Sequence, residues 1–397
     1  MEWGIDRLTS ETARALGLQG TRVGVLAHPA SVNRELVHIS AVLSRSSIEP
    51  TIIFGPEHGY RGEAQDMIAV KDESGRRGAP VRSLYGDTEE ALVPTADDLD
   101  RLDVLLVDLA DVGARYYTFV WTAVLAMRAA VRAGKRVVVL DRPNPIGDAV
   151  EGRSQRAAFR SFVGLEPIPI RHGLTLGEIV AHRAELESVP KAQLAVLCVR
   201  GIARGAYATD WDRPFVFPSP NMPTPSTALV YPGGCLLEGT NLSEGRGTTK
   251  PFEIFGAPFV DGERLARDFH ALGLPGVRVR ALSFKPMFHK FAGELCGGVE
   301  VHVVDRAAFL PVATYVALIA LAHEGAPDRF KFRTERYEFV DDIPAFDLLT
   351  GDGQARAMIL EGARALDVAH AVSRLMDGDA ERVAAARAAL AGYAPLG

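Results

Sequence analysis

Two glutamates, a histidine and an arginine fall within the ten residues FGPEHGYRGE, Phe54 to Glu63. Glu57 and Glu63 can give or take a proton, His58 can do so near neutral pH, and Arg61 can hold an anion. The apolar run Ile52–Phe54 leads straight into this stretch, and Pro56 and Gly59 frame the Glu-His pair as a turn. A carboxyl group and an imidazole presented at the end of a buried segment are what acid–base catalysis requires. The same pair can instead brace a turn, and Arg61 with Glu63 can form a surface ion pair worth little.

Four further stretches carry the same kinds of residue. In DLADVGARYYT, Asp108 and Asp111 follow an apolar run, with Arg115 and Tyr116 behind them. An aspartate here can serve a ligand or cap the helix that starts near Tyr116, with Arg115 as its partner. A tyrosine such as Tyr116 is more often core than ligand stacking. DRPNP places Asp141, Arg142 and Asn144 in a loop stiffened by two prolines, either to position a ligand or to make a tight crossover. In IRHGLTLGEI, Thr175 and Glu178 have the spacing of a capping box, which gives Glu178 a structural role. His172 sits just ahead of that helix start, where a substrate oxygen could meet unpaired backbone N–H groups. Finally, EGTNLSEGRGTTKPFE brings Glu238, Asn241, Glu244, Arg246 and Lys250 together in a glycine-rich segment. A plain linker has no need of so many functional groups, and the position suggests one wall of an interdomain cleft. Carboxylates dominate, joined by His, Arg, Asn and Tyr. That mixture suits binding of a polyol or an acidic sugar, and acid–base work by a carboxyl pair as in glycoside hydrolysis. The sequence contains no G-x-G-x-x-G, Walker A, G-x-S-x-G or H-E-x-x-H motif.

The elements that must hold these residues alternate. Thr21–Leu26, Pro50–Phe54, Asp103–Leu109, Arg136–Leu140 and Leu194–Val199 read as strands, with helices over Glu35–Ser44 and Tyr116–Ala133 between them. Strands apolar on both faces, alternating with helices, imply an α/β fold with a mostly parallel sheet. Three of those strands run at their carboxyl ends into GPEHGYRGE, ADVGARYYT and DRPNP, the edge where open parallel sheets bind ligands. Pro and Gly cluster from Pro214 to Gly247, a candidate domain junction. Beyond it, Gly276–Phe284 and Gly297–Val304 alternate like strands, while Phe309–His323 and Gln354–Leu390 read as helical, the latter broken near Asp377–Gly378. The second half is therefore α+β, and the Ala-rich stretch Ala380–Ala391 reads as a surface helix.

Bulk properties narrow the field. A chain of 397 residues suggests two domains or three. The net charge of −6 comes without any basic run, which disfavours nucleic acid as a partner. Cys198, Cys235 and Cys296 are odd in number and widely spaced, against a disulfide framework or a zinc site. No apolar stretch approaches the ~20 residues of a membrane span. The opening residues have no basic-then-apolar leader pattern, so the expected compartment is the cytoplasm, or the periplasm or exterior if a signal has been trimmed.

Six motifs, FGPEHGYRGEAQ, DLADVGARYYT, VLDRPNP, PIRHGLTLGE, PSPNMPT and YPGGCLLEGTNLSEGRGTTKPFE, stand in this order between Phe54 and Glu253. Together they resemble the exo-β-N-acetylmuramidase family. The resemblance implies a Rossmann-like domain, here residues 1–228, joined to a smaller C-terminal α+β domain, residues 229–397, with the active site in the cleft between them. It implies removal of N-acetylmuramic acid from the non-reducing end of peptidoglycan fragments, using glutamates and neither metal nor cofactor; a non-catalytic muropeptide- or sugar-binding protein and another cell-wall-fragment hydrolase are the alternatives. The partner is then a small glycan, and the chain is expected as a monomer or weak dimer. The glutamate of the GPEHG motif carries over to Glu57, the expected general acid, with His58 and Arg61 orienting it or holding substrate. For the second carboxyl role Glu238, Glu244 and Glu151 are candidates in that order, with the substrate's own 2-acetamido oxygen as an alternative. Arg115, Arg142, Arg246 and Lys250 are candidates for the lactyl carboxylate. Asp141, Asn144, Asn221 and Asn241 are candidates for sugar hydroxyls. One departure stands in the DVG loop, where Ala110 occupies a position at which the family pattern leads one to expect Gln.

Overall fold

A computed structural model of the chain describes residues 1–62, 73–74 and 79–394; Glu63 lies outside the described residues. The first sheet contains β1 (Val23–Ala27), β2 (Ile52–Gly55), β3 (Glu73–Ser74), β4 (Pro80–Ser83), β5 (Val104–Asp108), β6 (Arg136–Leu140) and β7 (Leu194–Leu197). Its order is β3-β4-β2-β1-β5-β6-β7. The six strands from β4 to β7 run parallel, and β3 pairs antiparallel with β4. β1 and β5 are buried along their whole length because layers pack on both faces, which is why they read as unbroken apolar runs. This is a Rossmann-like α/β body. Chain order reverses at β1, which pairs with β2 on one side and β5 on the other. That switch point opens a crevice at the carboxyl ends of the strands.

The second sheet is smaller and antiparallel, with β8 (Ile254–Ala257), β9 (Val277–Phe284) and β10 (Cys296–Val303) in the order β8-β10-β9. In β9 the run VRVR alternates buried and exposed, so one face meets the protein and the other water. The amphipathic helix Gly262–Ala271 packs against this strand.

Two segments differ from the sequence expectation. The Pro/Gly-rich stretch contains a buried helix, Pro225–Gly234, which runs into a 3-10 turn, Cys235–Gly239. A Cβ on Gly233 would meet the Pro311 carbonyl oxygen at 2.1 Å, so its glycine permits a close helix–helix approach rather than marking a loose joint. The helical stretch Gln354–Leu390 breaks at Asp377–Gly378 as expected and also near Gly362, giving three helices: Gln354–Leu360, Ala365–Ser373 and Asp379–Ala389. Gly362 at φ +76° and Gly378 at φ +82° interrupt it in the left-handed region.

The last helix returns to the first body. Val383, Ala386 and Ala389 form its buried face, it packs on the helix Leu176–Leu186, and Arg387 donates to the carbonyls of Asp148 and Gly173. One apolar cluster joins residues of both halves of the chain, among them Leu26 and Tyr393, and a second gathers Trp3, Val25, Leu106 and Leu140. No helix among the described residues is long and apolar enough to cross a membrane.

Candidate active site

A pocket lies where the two halves of the chain meet. The first body contributes Glu57 and His58 after β2, and Tyr116, Tyr117 and Thr118 after β5. The segment Ser219–Met222 forms one side. Tyr231, Glu238, Arg246, Phe252, Tyr337 and Glu338 supply the rest from the second half.

The placement of Glu57 follows from two glycines and one strained residue. A Cβ on Gly55 would lie 2.3 Å from the Tyr60 nitrogen, so only glycine lets the chain double back so tightly at the end of β2. Gly59, at φ +80°, donates to the Pro56 carbonyl and closes the turn. Between them His58 holds φ +69°, a conformation that side chains other than glycine's adopt at a cost and that clusters at functional sites. Its ring lies edge-on to Phe119 at 6.3 Å. Glu57 itself is buried, and Oε2 accepts from the Thr118 hydroxyl at 2.7 Å. Thr118 stands at the N-cap of the helix Phe119–Arg132 but makes no side-chain bond to that helix. Its hydroxyl serves the glutamate instead.

The facing wall is an ion-pair network. Arg246 Nη2 donates to Glu238 Oε1 at 2.6 Å, and the Tyr337 hydroxyl donates to Glu238 Oε2 at 2.7 Å. Arg246 also lies over the Phe252 ring at 5.2 Å and brings Nε to 3.2 Å from Glu244 Oε1. Glu244 sits behind the pocket, fully buried, with Lys290 Nζ and His289 Nδ1 each 3.0 Å from its carboxylate. Burial alone would push its pKa up, but Lys290, His289 and Arg246 hold it well below the usual carboxylate range. Burial drives the phenols of Tyr117 and Tyr231 well above their ordinary value, so both remain neutral donors.

Of the residues singled out in the sequence, Glu57, His58, Tyr116, Asn221, Glu238 and Arg246 come together in this lining. The Tyr116 hydroxyl, however, is committed to the Pro232 carbonyl. The others have structural work elsewhere. Asp108 and Arg142 form a buried two-pronged pair at 2.6 and 2.9 Å that ties the end of β5 to the end of β6. Arg115 donates to the carbonyls of Arg153, Ile168 and Leu349, and burial pushes its pKa down to about 10. Asp141 accepts from Thr175 Oγ1 and the Gly177 nitrogen at the start of the helix Leu176–Leu186. Asn144 closes its own turn and holds the Leu174 carbonyl. Glu151 accepts from the nitrogens of Val312 and Ala313, capping the helix Pro311–Gly325. His172 accepts from the Leu174 nitrogen and faces Asp111 at 3.2 Å. Asn241 pairs with the backbone of Arg329 and Lys331. Lys250 binds Glu300 at 2.6 Å, and Arg61 is exposed. The capping box at Thr175 and Glu178 is present, and Glu178 also pairs with Arg204. Asp108 and Asp111 do not cap the helix after Tyr116; Thr118 occupies that position.

Sequence reasoning missed Thr118, Ser219, Tyr231, Tyr337 and Glu338 as site residues. Thr118, Ser219 and Tyr231 lay inside the quoted motifs DLADVGARYYT, PSPNMPT and YPGGCLLEGTNLSEGRGTTKPFE, whereas Tyr337 and Glu338 lay in none. Among the described residues, no three His, Cys, Asp or Glu side chains converge to hold a metal ion.

A parallel sheet whose switch-point crevice is closed by a smaller domain, with several carboxylates and a guanidinium around a polar pocket, has the architecture of an enzyme working by acid–base chemistry on a polar ligand. The chain belongs to the exo-β-N-acetylmuramidase NamZ family, whose N-terminal domain profile matches residues 23–226 and whose C-terminal profile matches residues 229–377. It is 41% identical over 367 residues to the peptidoglycan β-N-acetylmuramidase NamZ of Bacillus subtilis (strain 168), covering 91% of this chain and 85% of that one. It is also similar to two crystal structures of DUF1343 family proteins from Bacteroides fragilis NCTC 9343. The first has a TM-score of 0.84 at 30% identity, covering 100% of this chain and 99% of that one. The second has a TM-score of 0.71 at 25% identity, covering 99% and 98%.

Proposed function

We propose that this chain is an exo-acting glycosidase of the hexosaminidase type that releases N-acetylmuramic acid from the non-reducing end of peptidoglycan fragments. The observation that carries the reading is the pairing, in one pocket of a muramidase family member, of the hydroxyl-held carboxyl of Glu57 with the guanidinium of Arg246. Glycoside cleavage passes through an oxocarbenium-like state in which a carboxylic acid protonates the leaving oxygen. Glu57 is that acid: it sits in the pocket on a turn strained at His58, and the Thr118 hydroxyl orients its carboxyl group.

Arg246 is the cation that receives the lactyl carboxylate. It lines the pocket, whereas Arg115, Arg142 and Lys250 are held by partners away from it. Glu238 and Glu244 fix the guanidinium plane against that demand. Asn221 and Ser219 are the candidates for sugar hydroxyls, and Tyr117 and Tyr231 for the acetamido group. The pocket's lining of carboxylates, hydroxyls and a guanidinium suits a polar N-acetylated sugar.

Incubation with a disaccharide terminated by N-acetylmuramic acid is expected to release the monosaccharide. Glu57→Gln should abolish turnover of a chromogenic β-N-acetylmuramide while the unfolding midpoint stays within about 2 °C. Turnover retained in that variant removes Glu57 from the acid role.

A further inference from the structure

A third carboxylate lines the pocket. Glu338 lies in the turn Tyr337–Val340, where the Tyr337 nitrogen donates to the Val340 carbonyl and the Val340 nitrogen donates back to the Tyr337 carbonyl, both at 3.0 Å. The two central residues, Glu338 at φ +46° and Phe339 at φ +70°, both adopt left-handed conformations. Positive φ at both central positions of a two-residue hairpin is the pattern of a type I′ turn, which strongly favours Asn-Gly. Glutamate and phenylalanine there cost roughly 1–2 kcal/mol each. A glycine would relieve that strain, yet the chain spends a carboxylate on the position.

Contacts from the first body hold the turn in place. Phe339 packs on Tyr85 at 5.9 Å and on Phe162 at 6.1 Å, while the Tyr85 hydroxyl, 253 positions earlier in the chain, donates to Glu338 at 3.2 Å. The preceding residue, Tyr337, is the one that donates to Glu238. The turn is therefore pinned on both sides, and its carboxylate is buried in the pocket that holds Glu57.

Each of the other candidates for a second carboxyl role either serves the pocket wall or lies outside the lining. Glu238 has a guanidinium on one oxygen and a phenol on the other. Glu244 lies outside the lining among Arg246, His289 and Lys290, and Glu151 caps a helix.

Resting on the glycosidase reading above, we infer that Glu338 is the second carboxylate of the reaction, acting as the base that takes the proton of the attacking water. The water oxygen bonds to the anomeric carbon, and the glycosidic carbon–oxygen bond breaks with its electron pair on the leaving oxygen. Glu57 delivers its proton to that oxygen, and the surplus proton of the water passes to Glu338. Exchange with solvent then returns both carboxyls to their starting forms. The sugar is released with inverted configuration.

The test compares the full-length wild type, Glu338→Gln and Glu338→Ala on a chromogenic β-N-acetylmuramide. Expected are a loss in kcat of about a hundredfold or more in Glu338→Gln, loss of the acid limb of its pH–rate profile, and partial rescue of Glu338→Ala by formate. Circular dichroism and the unfolding midpoint report whether each variant folds. Proton NMR of the wild-type reaction should show the α anomer first. Glu338→Gln with kcat within about threefold of wild type overturns the inference, as does first formation of the β anomer. If a folded Glu338→Gln loses activity but formate restores none to Glu338→Ala, the base role also falls. If the wild type releases no N-acetylmuramic acid, the glycosidase reading fails and takes this inference with it; in every other failing case the reading survives.

Discussion

The Tyr337 hydroxyl donates to Glu238 Oε2 at 2.7 Å, and the opposite oxygen of the same carboxylate accepts from Arg246 at 2.6 Å. Glu238 is thus a joint that fixes a phenol and a guanidinium at the pocket wall. Removing the phenol oxygen leaves the ring in place, still stacked by Arg333 at 5.1 Å. It also removes one donor from a buried carboxylate, a loss on the order of 1 kcal/mol or more. Tyr337→Phe is therefore expected to raise KM and lower kcat/KM by about tenfold, because Arg246 is no longer held in one plane. Steady-state kinetics on a chromogenic muramide reads this out. An unchanged KM would show that Glu238 needs only the arginine.

Thr118 offers a cleaner separation of activity from stability. It stands at a helix N-cap, where threonine usually bonds a backbone N–H, and truncating such a cap costs about 1 kcal/mol. Here the hydroxyl goes to Glu57 and not to the helix. Thr118→Val keeps the shape and removes only that bond. The expected result is a fall in kcat of about tenfold with little change in the unfolding midpoint. A large drop in stability with normal kcat would place the hydroxyl's value in the helix after all.

The sequence made the parallel sheet legible because β1, β5 and β6 are buried on both faces and so appear as unbroken apolar runs. Glu57 was legible for the same reason: its turn follows β2 directly, and the glycines and proline that shape it are local. Asp108, Arg142 and Asp141 looked equally functional, since strand-end position and residue type do not distinguish a ligand contact from a bond that ties neighbouring loops together. Only the partner decides, and Asp108 meets Arg142 across two strands. Tyr337 and Glu338 were illegible because their place in the pocket depends on Tyr85 and Phe162, far away in the chain. Their turn also lacks the Asn-Gly signature by which a type I′ hairpin is read from sequence.

Arg246 tests the substrate rather than the chemistry. Lysine keeps the charge but presents a single ammonium, which cannot meet Glu238, Glu244 and a ligand carboxylate through a planar fork. Arg246→Lys is expected to weaken KM for an N-acetylmuramide by tenfold or more, roughly the value of a charge-assisted bond, 1.5–3 kcal/mol. An N-acetylglucosaminide lacks the lactyl carboxylate, so whatever slow turnover it shows should change far less. Measuring both substrates on both proteins gives the ratio. Equal losses on the two substrates would mean that Arg246 only supports the wall.

Glu151 gives stability a pH dependence of known sign. Burial raises its pKa to about 7, against the partial relief of the Ala313 and Val312 N–H groups and the charge of Arg171. The unfolded chain releases that proton near pH 4.5, so between about pH 4.5 and 7 the folded state binds more protons than the unfolded one. Stability from this group is therefore greatest at and below the unfolded value and declines as pH rises toward 7, levelling off above it. Asp141, raised by burial to about 7, acts in the same direction. Glu151→Gln removes one of the two contributions while keeping an acceptor oxygen for the helix start at Pro311. The unfolding midpoint of the variant should fall less steeply than that of the wild type between pH 5 and 7, measured by thermal melts at constant ionic strength. A variant with an unchanged slope would mean that Glu151 is ionised in the folded protein throughout this range, held so by the helix N-terminus it caps.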